Sequence, residues 1–106
     1  MNPLVSDLLS RNREALRELC VTQRVAGLEL FGSAASDDFD PEKSDLDFIV
    51  QFEDADRPGI ADRFLGLAEG LERIFSRKVD LVTERSLKNP FFANAVNRSK
   101  QLVYAG

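Results

Sequence analysis

The chain has 106 residues, 43% of them hydrophobic and 30% charged, a balance that suits one globular domain and excludes a disordered segment. Its net charge of −4, from 14 Lys+Arg against 18 Asp+Glu, argues against a general nucleic-acid binder, which needs a basic face to release counterions. A single cysteine, Cys20, and the lack of any histidine exclude an internal disulfide, a Ser-His-Asp or Cys-His centre and a Cys/His zinc site within the chain. Chemistry here must rest on carboxylates, hydroxyls, lysines, arginines and backbone amides.

The first residues, Met1 to Asp7, show no basic stretch followed by an apolar run and do not read as a signal peptide. No apolar run approaches the roughly 20 residues of a membrane span. The expectation is a cytoplasmic protein with no membrane partner, forming one domain over residues 1–106. Residues 3–20 place Leu4, Val5, Leu8, Leu9, Ala15, Leu16, Leu19 and Cys20 near helical spacing, which predicts an amphipathic helix with Cys20 on its apolar stripe. Val25 to Phe31 is a short apolar run cut off by Gly32 and reads as a strand. Ser33 to Asp38 suits one helical turn, and residues 39–44 a turn restricted by Pro41.

Asp45 to Phe52 is the clearest strand, with Leu46, Phe48, Val50 and Phe52 on one face and Asp45 and Asp47 on the other. Residues 58–75 form a second amphipathic pattern through Ile60, Phe64, Leu67, Leu71, Ile74 and Phe75, which Gly66 and Gly70 weaken modestly. Lys78 to Val82 reads as a third strand. Asn89-Pro90 suits a helix start, Asn as cap and Pro at the first position, for a helix over 90–98. Leu102 to Tyr104 suits a last short strand. The order predicts an α/β (α+β) domain, a small mixed central sheet with helices packed against it.

Three features bear on chemistry. Gly32-Ser33 follows a strand directly, where a glycine lets a phosphate approach the backbone and the serine hydroxyl and turn amides can donate to it. Taken alone, the pair reads more readily as an ordinary turn with a helix cap. Asp45 and Asp47, two apart in a strand, converge on one side, and two adjacent carboxylates repel unless a cation sits between them. A solvated strand face is the plain alternative, but aspartate is disfavoured in strands and this pair opens the most apolar one. Asp80 is a lone acid in an apolar strand. Beside the second strand it reaches the Asp45/Asp47 pair; otherwise it is an edge charge that deters aggregation. Arg73, Arg77 and Lys78 lie close enough to the third strand for one of them to touch phosphate. Arg11, Arg13, Arg17 and Arg24 read as a solvated face, and Phe91 and Phe92 as either core or a docking edge.

Together, the string from Phe31-Gly32-Ser33-Ala34 to Ser44-Asp45-Leu46-Asp47-Phe48-Ile49-Val50, with Val79-Asp80-Leu81-Val82 further on, resembles the signature of the polymerase-beta-like nucleotidyltransferases, and more narrowly their minimal nucleotidyltransferase (MNT) group. The resemblance covers nearly the whole chain. It implies the polymerase-beta-like nucleotidyltransferase fold, Gly32 and Ser33 on the phosphates of an NTP, and Asp45, Asp47 and Asp80 as catalytic residues and Mg²⁺ ligands. It also implies two Mg²⁺ ions and ATP as donor. Asp80 would additionally assist the acceptor hydroxyl. Members of this group are often paired with a helical HEPN ribonuclease toxin, and in some systems the antitoxin transfers AMP to a tyrosine hydroxyl. The partner implied is therefore a HEPN-type toxin. Many members carry Arg-Gly where this chain has Ser36-Asp37, which removes a charge that stabilises phosphoryl transfer. That departure favours an alternative reading, an inactive binding module that silences its partner by occlusion. A drug- or nucleotide-modifying transferase is a third reading, disfavoured by the lack of an acceptor-binding segment.

Overall fold

The computed structural model describes residues 3–35, 40 and 44–106. Among these, four helices, α1 (Pro3–Arg11), α2 (Arg13–Thr22), α3 (Ile60–Phe75) and α4 (Pro90–Ser99), and four strands, β1 (Val25–Phe31), β2 (Leu46–Phe52), β3 (Val79–Thr83) and β4 (Gln101–Ala105), follow in the order α1-α2-β1-β2-α3-β3-α4-β4. Short 3-10 turns follow β1 (Gly32–Ala35) and β3 (Glu84–Lys88). The sheet runs β3-β2-β1-β4. β1 is antiparallel to both β2 and β4, while β2 and β3 are parallel, joined by the α3 crossover. This is the mixed sheet with packed helices that the pattern predicts.

Alternation along β2 sets the two faces. Leu46, Phe48, Val50 and Phe52 are buried on one side. Leu28 and Leu30 of β1 lie opposite Val50 and Phe48, and Leu81 of β3 opposite Phe48, so three strands contribute to one apolar layer. Val5, Leu16, Cys20, Leu67, Leu71 and Phe75 close it from the helical side, and the Phe48 and Phe75 rings stack at 6.1 Å. Burial pushes the Cys20 thiol up to about 12, as desolvation of a thiolate requires. Gly70, read from sequence as a weakness in α3, has a packing reason: a Cβ there would run into the Leu19 side chain, so the missing side chain lets α2 come close.

The continuous helix expected over residues 3–20 is instead two helices, broken at Asn12. Its Nδ2 donates to the Leu8 carbonyl at 2.8 Å, and its backbone leaves the helical region at φ −111°, ψ 17°. The side chain satisfies a helical carbonyl, and the axis turns there. Arg63 ties α3 to the sheet ends. Its Nε donates to the Gln23 carbonyl at 2.9 Å, and its Nη2 to the carbonyls of Arg24 and Glu53 at 2.8 and 2.7 Å, over the Phe52 ring. The start of α4 is capped as expected, with Asn89 Oδ1 accepting from the amides of Phe91 and Phe92. Among the described residues, no helix is long and apolar enough to cross a membrane.

Candidate active site

The face of the sheet away from the main core carries the acids. Asp45 immediately precedes β2 and Asp47 lies within it, so alternation turns both to this side. Asp80 of β3 is the register partner of Asp47, which brings carboxylates from two parallel strands side by side. One step earlier, the Lys78 carbonyl accepts from the Leu46 amide at 3.2 Å, and Lys78 Nζ stands 4.0 Å from Asp45 Oδ2. Lys78 is thus the basic residue near the third strand that reaches this group.

Asp47 is the middle member. Its carboxyl is raised from 3.8 to about 6, first by burial, then by the charge of Asp80 and then by that of Asp45. Asp80, by contrast, is exposed at the sheet edge. Among the described residues, no three Asp, Glu, Cys or His side chains are gathered about one point as a ready metal-holding group. The acids relate instead as two pairs that share Asp47. That arrangement fits Mg²⁺, which takes one or two carboxylates and completes its shell with phosphate oxygens and water. A cation bound there would offset the burial and the repulsion that raise the Asp47 carboxyl.

Gly32 closes the other side of Asp47. It adopts φ +72°, and a Cβ on it would collide with Asp47 Oδ2. Only a residue without a side chain both turns the backbone left-handed here and tolerates that approach. Ser33 follows, half-buried, in a 3-10 turn whose Ala34 and Ala35 are buried. The Gly32 amide donates to Ser99 Oγ at 3.3 Å. Sequence reasoning passed over Ser99, since it lies at the far end of the chain and nothing in its local pattern marks it. Phe92 meets Phe31 edge-on at 5.5 Å, and Phe31 is the other register partner of Asp47, so α4 covers part of the acidic face. This separates the two phenylalanines: Phe92 packs, whereas Phe91 is 87% exposed. Ser36 and Asp37, the departure from the Arg-Gly pattern, lie outside the described residues.

The sequence model of the nucleotidyltransferase domain family matches residues 10–103. Two Methanocaldococcus jannaschii proteins, each named "Putative protein adenylyltransferase", are 31% and 30% identical over 100 residues, spanning 94% of this chain and 93% of each relative. A solved structure described as a "putative minimal nucleotidyltransferase" shares 33% identity at a TM-score of 0.70, with 95% of both chains covered. At 20% identity, a Shewanella oneidensis complex of a tri-AMPylated HEPN toxin with its MNT antitoxin shares the fold at a TM-score of 0.61, covering 92% of this chain and 73% of the other. A family match across nearly the whole chain, on the same fold as these neighbours, establishes that the chain belongs to the nucleotidyltransferase domain family and has the build of its minimal members.

Proposed function

We propose that this single minimal domain transfers AMP from ATP to a hydroxyl of a partner protein, and that the partner is a HEPN-type toxin which the transfer neutralises. The observation that carries this reading is the register pairing of Asp47 with Asp80 beside Gly32, where burial and then the charges of Asp80 and Asp45 raise the Asp47 carboxyl, a cost that a cation would offset. The names of the M. jannaschii relatives and the AMPylated toxin in the S. oneidensis complex point to the same acceptor class. A toxin–antitoxin neighbour with AMP-PNP, 22% identical, has the same fold.

In this reading Asp45, Asp47 and Asp80 hold Mg²⁺, two ions in all, while Gly32 and Ser33 hold the NTP phosphates. When bound, Mg²⁺ neutralises phosphate charge and favours in-line displacement. The Ser33 hydroxyl and the turn amides beyond Gly32 supply donors to the phosphates. Asp80, exposed at the sheet edge, faces the side from which a protein acceptor can approach. It takes the proton of the acceptor hydroxyl as that oxygen bonds to the α-phosphorus and pyrophosphate departs. Lys78, beside Asp45, offsets part of the negative charge of the row.

The test is incubation with labelled ATP, Mg²⁺ and a helical HEPN-type protein. Label covalently attached to the partner supports transfer. A partner that is neutralised with no added mass favours occlusion, the reading that Ser36-Asp37 in place of Arg-Gly supports.

A further inference from the structure

The last residue of β1 and the first residue of the turn after it are held by α4. Phe92 sets its ring edge-on against Phe31, at 84° between planes, and Ser99 Oγ accepts from the Gly32 amide at 3.3 Å. Phe92, Val96 and Ser99 fall on one stripe of the helix at positions i, i+4 and i+7. Val96, between the two contacts, is 1% exposed, so the stripe is the packed one and Ser99 is carried on an anchored surface. Both held residues lie against Asp47. Phe31 is its register partner, and Gly32 approaches its carboxylate so closely that no Cβ fits between them. Gly32 has no side chain to fix its own backbone, and a residue at φ +72° is free to leave that region unless something outside the turn restrains it. The Ser99 hydroxyl is such a restraint, arriving from 67 residues away.

We propose that Ser99 is a positioning residue of the nucleotide site. Its hydroxyl fixes the Gly32 amide, and through it the setting of the Gly32-Ser33 turn that receives phosphate and its close approach to the Asp47 carboxylate. The inference rests on the reading that Gly32 and Ser33 bind the phosphates of an NTP. Ser99 touches neither nucleotide nor acceptor in this scheme; it acts through Gly32. The contact also makes the last helix part of the nucleotide site, although none of its side chains belongs to the acidic row.

The experiment measures AMP-PNP binding in the presence of Mg²⁺ by calorimetry, the melting temperature, and the exchange rate of the Gly32 amide by NMR. The proteins compared are wild type, Ser99→Ala, Ser99→Cys and Ser99→Thr. Loss of one hydrogen bond predicts binding weaker by about fivefold in Ser99→Ala, with faster exchange at Gly32 and a melting temperature near that of wild type. Ser99→Cys should follow Ser99→Ala, because a thiol is a poor acceptor of nearly the same size. Ser99→Thr keeps the hydroxyl and should restore both affinity and protection. Should Ser99→Ala not fold, the Cys and Thr variants carry the comparison. Unchanged affinity in a folded Ser99→Ala or Ser99→Cys overturns the proposal alone, as does a Thr variant no better than Ala. A wild-type protein that binds no AMP-PNP overturns the proposal together with the reading beneath it.

Discussion

Asp47 and Asp80 stand opposite one another across the parallel β2–β3 pair, in register and on the same face of the sheet. Burial of Asp47 makes its charge costly, and the neighbouring charges of Asp80 and then Asp45 add to that cost. A site so arranged stores repulsion that a bound cation relieves. Four consequences of the structure can be measured.

Asp47→Asn keeps side-chain size and removes the central charge. Transfer of AMP to the partner should be abolished, while the metal-free melting temperature should hold or rise, because the repulsion from Asp80 and Asp45 is gone. Mass spectrometry of the partner, beside thermal melts and partner affinity, separates these effects. Modification at the wild-type rate would remove Asp47 from catalysis.

Stability of the metal-free protein should fall as pH rises from about 4 to about 6. The native Asp47 keeps its proton up to about 6, whereas an unfolded aspartate releases it near 3.8. Across that window the native state binds more protons, so raising the pH favours unfolding, and this contribution levels off above the native value. Melts of wild type and Asp47→Asn over the range, without Mg²⁺, isolate the effect as the difference between the two curves. Adding Mg²⁺ at pH 7 should recover stability in wild type and not in the variant. A difference curve that is flat or slopes upward would contradict the assignment.

Gly32→Ala should be costly on two counts. A left-handed φ of +72° strains any residue with a side chain by roughly 1–3 kcal/mol. The new methyl also meets the Asp47 carboxylate, so either the turn or the acid must move. Urea denaturation should show a loss in that range, and transfer should drop on the order of a hundredfold, as misplacement of reacting groups by an ångström does. An alanine variant of wild-type stability would mean that the turn relaxes without strain.

Arg63→Ala should lower stability by about 2 kcal/mol, the scale of hydrogen bonds from a charged donor to carbonyl acceptors. The guanidinium serves three carbonyls, those of Gln23, Arg24 and Glu53, and lies over the Phe52 ring. Arg63→Lys should recover only part of the loss, since an ammonium lacks the planar fork that reaches all three. Denaturant midpoints at constant slope report this directly. A loss within about 0.5 kcal/mol, as at ordinary surface sites, would show that water replaces the side chain at no cost.

Sequence alone determined what depends on near neighbours along the chain. Period-two burial in β2 placed Asp45 and Asp47 on one side, because side chains alternate in any strand. Asn89-Pro90 marked the start of α4 because a cap bonds to amides two and three residues ahead. The Gly-Ser turn and the three aspartates were legible as a pattern for the same reason: their spacing is local, or repeats the order of strands. Tertiary structure decided what rests on pairing across the sheet. The Asp47–Asp80 register is set by which residues of β2 and β3 meet, and it turns three acids into two pairs sharing one member. The break at Asn12 was invisible because apolar periodicity continues across it, while one side-chain bond to Leu8 redirects the axis. Ser99 was invisible because the role proposed for it depends on its contact with Gly32, and chain folding, with no local signal, brings those two residues together.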